Sequence, residues 1–322
     1  MLTICGSATL DLLMTGLDHI PAFGRDEFAL DNFVWCREPV RMVVGGNGAN
    51  TAFVLGRLGI PVRLLSAVGD DALGAVMSSW LGEAGVDLTY LDRLPGVATS
   101  TTAVLSDETF HRVAFHHAGA NARYGAAGLS AEALAGTHAL LLTGFPLMQA
   151  LRGRGYRQML AQARALGALV AVDIGPAIGT PAGLPELAEL LPLVDLLIAN
   201  EHELAVATGV ASPEGQLAAM LAAGAGTVVV KRGAAGVRLC RSGHLVDTPA
   251  FPVAAVQTVG AGDAFNAGVL AALAEGRSLE DAARFGNAVA ACVVRAPAGI
   301  MAAPGRAEVD AMVAGASYRD EQ

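Results

Sequence analysis

The sequence predicts an α/β fold: a doubly wound, mostly parallel sheet flanked by helices, with a small β-sheet lid. Short apolar runs bounded by Gly, Asp or Asn recur along the chain, with Ala/Leu-rich segments of helical period between them. Strands that are apolar on both faces and alternate with helices form a parallel sheet covered on each side. Two further stretches break this rhythm and predict the lid. One mixes charges with aromatics, and the other alternates polar and apolar residues.

The opening "MLTICGSATLDLLM" reads as a first strand. It lacks a basic leader region and Asp11 interrupts it, so it does not read as a signal peptide. Residues 11–44, and residues 97–120 around an acidic turn at Asp107–Glu108, predict antiparallel strands added to the core. The lid is therefore expected over 11–44 and 97–120, and the core over 1–10, 45–96 and 121–322. Apolar runs at 139–145, 168–175, 195–200 and 226–233 predict core strands. Helices are predicted over 156–167 and 213–224, with Gly167 and Gly224 at their carboxyl caps. Phe265, Val269, Leu270 and Leu273 predict a helix over 262–275, stopped by Gly276. A second helix begins after Ser278, with Asp281 at the capping-box position.

Composition narrows the function. With 53% apolar and 16% charged residues, the chain buries a sizeable core and is not disordered. A net charge of −9, with Lys231 as the single lysine, argues against a nucleic-acid surface but leaves room for a small anion in a pocket. Cys5, Cys36, Cys240 and Cys292 form no CxxC pair and read as free thiols of a cytoplasmic protein. No run reads as membrane-spanning. A P-loop, a GxGxxG after the first strand and an HExxH are all absent.

Three segments carry chemistry. In "TVGAGDAFNAGVLAAL" (258–273), Gly260, Ala261 and Gly262 leave backbone N–H groups open to close approach at a helix start, which favours a phosphate. Asp263 on the first turn either accepts a proton from an attacking hydroxyl or merely stabilises its helix. In "VVGGNGANTAFVLGRLG" (43–59), Gly45 and Gly46 admit a flat or polyol ligand, and Asn47 and Asn50 offer donors and acceptors to hydroxyls. A helix is expected from Thr51 to Leu58, and a purely structural turn is an equal reading. In "ANEHELAVATG" (199–209), Asn200 and Glu203 follow a strand end, where α/β sheets place ligands, and such oxygens suit Mg²⁺ through water.

The order and spacing of "GGNGAN", "NEHE" and "TVGAGD" resemble the ribokinase-like (PfkB) family of carbohydrate kinases over nearly the whole chain. The resemblance implies ATP-dependent phosphorylation of a sugar hydroxyl, with Asp263 as base and residues 260–262 as anion hole. Asn200 and Glu203 match the family's N-x-x-E motif, which tunes Mg²⁺ and phosphate binding. Asp11, Gly45, Gly46 and Asn50 match sugar-side positions, and Asn121 falls in a segment that follows the lid. Lys231, Gly233 and Gly236 match a strand and turn beside the ATP phosphates. For Lys231, the high cost of burying an unpaired ammonium also favours a nearby anion. Asn287 matches an asparagine close to the adenine, with a helix-packing amide as its equal reading. A homodimer through the exposed lid edge is expected.

The chain also departs from the family. Gln257 replaces an aspartate that helps hold a monovalent cation in potassium-activated members, which leaves K⁺ doubtful. Gly144 replaces an acid of the sugar pocket. "IGP" after Asp173 lacks the asparagine and arginine of sugar-acid relatives, leaving Arg112 or Arg123 to meet an acidic substrate. A nucleoside kinase using Phe23, Phe33 or Trp35 as an aromatic platform, and a non-catalytic sugar- or nucleotide-binding regulator, are the alternatives.

Overall fold

The computed structural model describes residues 1–17, 36–107, 112–125 and 130–320; Phe23, Phe33, Trp35, Glu108 and the side chain of Arg112 lie outside what it describes. The first part of the chain runs β1 (Leu2–Cys5), β2 (Thr9–Leu17), β3 (Arg41–Gly45), α1 (Asn47–Arg57), β4 (Val62–Gly69), α2 (Ala72–Glu83), β5 (Val86–Asp87), β6 (Leu91–Leu94), β7 (Thr101–Asp107) and β8 (Arg112–His117). It continues with β9 (Ala139–Leu142), α3 (Arg154–Ala165), β10 (Leu169–Asp173), α4 (Leu184–Ala188), β11 (Leu196–Asn200), α5 (Glu201–Thr208), α6 (Pro213–Ala222) and β12 (Thr227–Lys231). The last elements are β13 (Val237–Arg241), β14 (His244–Thr248), α7 (Ala261–Ala274), α8 (Leu279–Arg295) and α9 (Arg306–Asp320).

The main sheet has the order β14-β13-β12-β11-β10-β9-β1-β4-β5, with β6 also paired to β4. It is parallel from β12 to β5 and antiparallel at β13 and β14. The four predicted core strands are β9 to β12. Successive residues of each strand point to opposite faces, so every strand feeds two cores. Ile198 and Val229 pack towards α1, α7 and α8, while Leu197 and Val228 pack towards α3, α5 and α6. Gly167 and Gly224 end their helices with positive φ, as expected. Ser278 caps α8, accepting from Asp281 N.

A separate four-stranded sheet has the order β3-β2-β7-β8. The expectation of wholly antiparallel strands is corrected here: β3 and β8 are antiparallel to their neighbours, but the central pair β2 and β7 is parallel. The reason is topological. β2 follows β1 and β7 follows β6, and both β1 and β6 lie parallel to β4, so both excursions leave the main sheet at the same end. The predicted first strand is likewise two strands. Gly6 to Ala8 turn the chain from β1 in the main sheet to β2 in the small one, and Asn121 Oδ1 accepts Ala8 N to hold that turn. Helix α1 starts four residues before the expected Thr51, because Ser7 accepts Asn47 N through its hydroxyl and Ala49 N through its carbonyl.

Helices α7 and α8 cross at paired glycines. A Cβ on Gly268 would lie 2.7 Å from Gly286 Cα, and one on Gly286 would lie 2.8 Å from Val269 Cγ2. Overpacking a core contact costs about 1–3 kcal/mol. The substitution Gly268→Leu is expected to destabilise the fold by at least that much, read as a lowered midpoint in urea unfolding.

Candidate active site

Asn200 and Lys231 end β11 and β12, so they lie at the carboxyl edge of the main sheet, where open α/β sheets present their ligands. Helix α7 aims its start at this edge. Gly260 adopts a left-handed φ of 80° as its N-cap, and no side chain caps the helix, whereas Asn200 and Ser278 cap α5 and α8. The helix start therefore keeps its positive end for something else.

Asp263 sits on that first turn, 6% exposed. Asn47 Nδ2 donates to its Oδ1 at 2.9 Å and Asn50 Nδ2 to its Oδ2 at 2.8 Å. Burial pushes its pKa up, the two amides pull it back, and the balance lies at about 6. The glycine-rich turn before α1 thus acts as more than a turn, because it delivers both asparagines to one carboxylate.

Asp11 approaches from β2. Its Oδ1 is buried without a protein partner, as is Asn50 Oδ1. Burial raises Asp11 to about 7, the Thr102 hydroxyl on β7 pulls it down, and the Asp263 charge adds to the rise. Gly45 makes room for it, since a Cβ there would lie 2.2 Å from the Asp11 carboxylate. The neighbouring Gly46 backs onto the Ser7 carbonyl. Buried oxygens left without donors are where ligand hydroxyls or water belong.

Lys231 ends β12. The sequence argument for a nearby anion holds, but that anion is internal: Lys231 Nζ lies 2.6 Å from Asp173 Oδ2. Asn266 Nδ2 on α7 reaches the same oxygen at 2.5 Å. Burial alone would lower the ammonium's pKa, but Asp173 and Glu203 overcome this and hold it above its ordinary value. Asn200 and Glu203 form a reciprocal capping box at 2.8 Å in each direction. Burial, and then the Asp173 charge, raise Glu203.

Further out, Gly233 is open, while a Cβ on Gly236 would meet the Thr248 carbonyl at 2.1 Å. Asn287 donates to the carbonyls of Thr248 and Pro249 at 3.3 and 2.9 Å, so its amide packs α8 against the chain after β14. Asn121 is fully buried. Besides holding Ala8 N it donates to Thr9 Oγ1, so it fixes the β1–β2 corner. Arg123 is exposed.

No group of three or more His, Cys, Asp or Glu side chains among the described residues could hold a metal on its own. Asn200 and Glu203 each commit one oxygen to the capping box. This donor set fits a Mg²⁺ that brings phosphate and water ligands with it, which is how that ion is commonly bound. Among the described residues no helix is long and apolar enough to cross a membrane.

Sequence reasoning did not single out Asp173, Asn266 or Ser7. A signal for Asp173 existed: the only lysine stands on a buried strand, and Asp173 is the carboxylate ending the strand two places away in the sheet.

The site is a buried carboxylate at an uncapped, glycine-lined helix start on a doubly wound sheet. The pfkB family carbohydrate kinase pattern matches residues 30–304. Ribokinase of Haemophilus influenzae is 30% identical over 298 residues, covering 91% of this chain and 92% of that one. A nucleoside kinase of Methanothermobacter thermautotrophicus is 29% identical, covering 88% and 89%. Among solved structures, Arabidopsis thaliana ribokinase complexed with ribose and ATP superposes with a TM-score of 0.81 at 26% identity, covering 97% of this chain and 98% of that one. The chain belongs to the pfkB family of carbohydrate kinases, phosphotransferases with an alcohol group as acceptor.

Because Asp263 is raised from 3.8 to about 6, its ionised form weighs against the folded state by on the order of 3 kcal/mol above pH 6. That burden is relieved as pH falls from about 6 towards 4. Asn50→Ala removes a donor to the ionised form, so the Asp263 pKa should rise by about one unit. Carboxyl-carbon NMR of aspartate-labelled protein would read the shift, and an unchanged pKa would contradict the clamp.

Proposed function

We propose that this kinase transfers the γ-phosphoryl group of ATP to a hydroxyl of a sugar or sugar derivative, with Asp263 as general base. The observation that carries the reading is the buried Asp263 carboxylate, clamped by Asn47 and Asn50 at the uncapped start of α7. With a pKa near 6 it is ionised at neutral pH yet basic enough to accept a hydroxyl proton. Gly260, Ala261 and Gly262 supply backbone N–H groups to the charge that develops on the phosphoryl oxygens.

Asp11 and Asn50 accept hydroxyls of the acceptor through their unpartnered oxygens, with Gly45 and Gly46 clearing the space. Asn47 and Asn121 line or fix this side. Lys231, Gly233, Gly236 and Asn287 form the nucleotide side. Asn200 and Glu203 would hold Mg²⁺ through water, and the ion would supply positive charge against the phosphates. The sheet of β2, β3, β7 and β8 serves as a lid, since it brings Asp11 to the same corner as Asp263. A nucleoside acceptor is the second reading, favoured by the relative named nucleoside kinase.

The lid's outer face also supports a homodimer. Strand register puts Met42, Leu12, Ala103 and Phe115 in one row, and Met42 and Phe115 are 50% and 48% exposed. A second copy of the chain would cover that apolar row.

Three tests follow from this reading. Asp263→Asn is expected to keep ATP and sugar binding but lower kcat about 10²- to 10⁴-fold; near-normal turnover would refute the base. ADP release measured with ribose, fructose, 2-keto-3-deoxygluconate and adenosine assigns the acceptor class, and purine-only activity selects the nucleoside reading. The double variant Met42→Glu with Phe115→Glu should run as a monomer in light scattering while the parent runs as a dimer.

A further inference from the structure

We propose that Asp173 is a positioning residue. It holds the chain's one lysine against the first turn of α7, where the ammonium is a fixed counter-ion for the phosphoryl group in transfer. This rests on the kinase reading above and adds to it a residue with no role there.

The geometry assigns Asp173 to this task by elimination of the others. The side chain is 2% exposed and both of its oxygens already have protein donors. Oδ1 accepts Gly175 N at 2.8 Å, while Oδ2 accepts Lys231 Nζ at 2.6 Å and Asn266 Nδ2 at 2.5 Å. A carboxylate so fully engaged acts on a ligand only through what it holds. Lys231 keeps 15% of its side chain exposed, and its Nζ lies 3.3 Å from where a Cβ of Gly262 would stand. The ammonium thus rests over the backbone of the proposed anion hole, with the carboxylate behind it. Asn266, further along the helix that carries Gly262 and Asp263, donates to the same oxygen and holds the carboxylate in place behind the ammonium.

Residue choice points the same way. Of the 21 basic side chains outside histidine, all but Lys231 are arginine. Arginine presents a broad planar fork, lysine a compact point charge. The one lysine stands where an ammonium is packed between a carboxylate and a glycine backbone.

A single lysine also makes the test direct. Protein labelled with [¹³Cε]lysine gives one side-chain resonance. Addition of Mg²⁺ with the β,γ-imido analogue of ATP is expected to shift it, and Asp173→Asn is expected to shift the free-state resonance and reduce the analogue-induced change. In turnover, Lys231→Met and Asp173→Asn should each lower kcat, the former about 100-fold. The double variant should fall no further than Lys231→Met alone, because Asp173 acts through the lysine. Additive losses would show a separate action of Asp173 and overturn the proposal, as would a resonance indifferent to Asp173→Asn or to the analogue. If Asp173→Asn does not fold, Asn266→Ser keeps the carboxylate and removes one of its donors. A smaller resonance shift is then expected, and none would count against the proposal. Failure of the base reading is separate: it shows as turnover in Asp263→Asn, whereas the lysine resonance needs no turnover.

Discussion

The clamp on Asp263 is the contact from which the rest of the structure follows. Two asparagine amides from α1 reach a carboxylate on α7, more than two hundred residues later in the chain. For both to arrive, α1 must start at Asn47, not a turn later, and that start is capped from the β1–β2 corner by Ser7. That corner in turn is held by Asn121, which follows the small sheet in sequence. Polar contacts therefore link the β1–β2 corner, helix α1 and helix α7 at one point. Each is worth about a kcal/mol if broken alone, and more where a buried partner is left behind.

Charge at this corner is unbalanced by design of the fold. Asp173, Glu203 and Asp263 converge on a single ammonium. Asp173 takes the lysine directly, and the other two are raised by burial before any charge effect is added. Such an arrangement disfavours a fully ionised, ligand-free site. A cation entering with a nucleotide would lower both raised carboxyls at once. Binding and ionisation of the proposed base are then linked through the same field, without a conformational change being required.

How much of this was legible depended on whether a feature is local. The parallel sheet, the strands β9 to β12, the caps at Gly167, Gly224 and Ser278, and the family itself lie in periodicity and short motifs. The place of Asp263 and its glycines at a helix start is equally local. What escaped was long-range. The early start of α1 depends on Ser7, forty residues away, and the partner of Lys231 lies 58 residues upstream on another strand. The parallel pairing of β2 with β7 follows from where both leave the main sheet, and no alternation pattern within either strand encodes that. Asn121 and Asn287 match motif positions, yet Asn121 bonds Ala8 N and the Thr9 hydroxyl and Asn287 bonds the carbonyls of Thr248 and Pro249, partners that residue type alone does not disclose.

The small sheet shows how one pattern of alternation serves two ends. Along β2, Asp11 points to the face it shares with Val43 and Thr102, while Leu12 points to the opposite face with Met42 and Ala103. The first face carries a buried carboxylate oxygen that no protein donor meets, and the second carries exposed apolar side chains. A shift of one residue in register would exchange them, placing Asp11 among apolar neighbours and Leu12 beside Asp263. Gly45 permits the observed register from the β3 side, because a Cβ there would lie 2.2 Å from the Asp11 carboxylate. Site geometry and the outer apolar face are therefore set by the same strand pairing, and neither can change without the other.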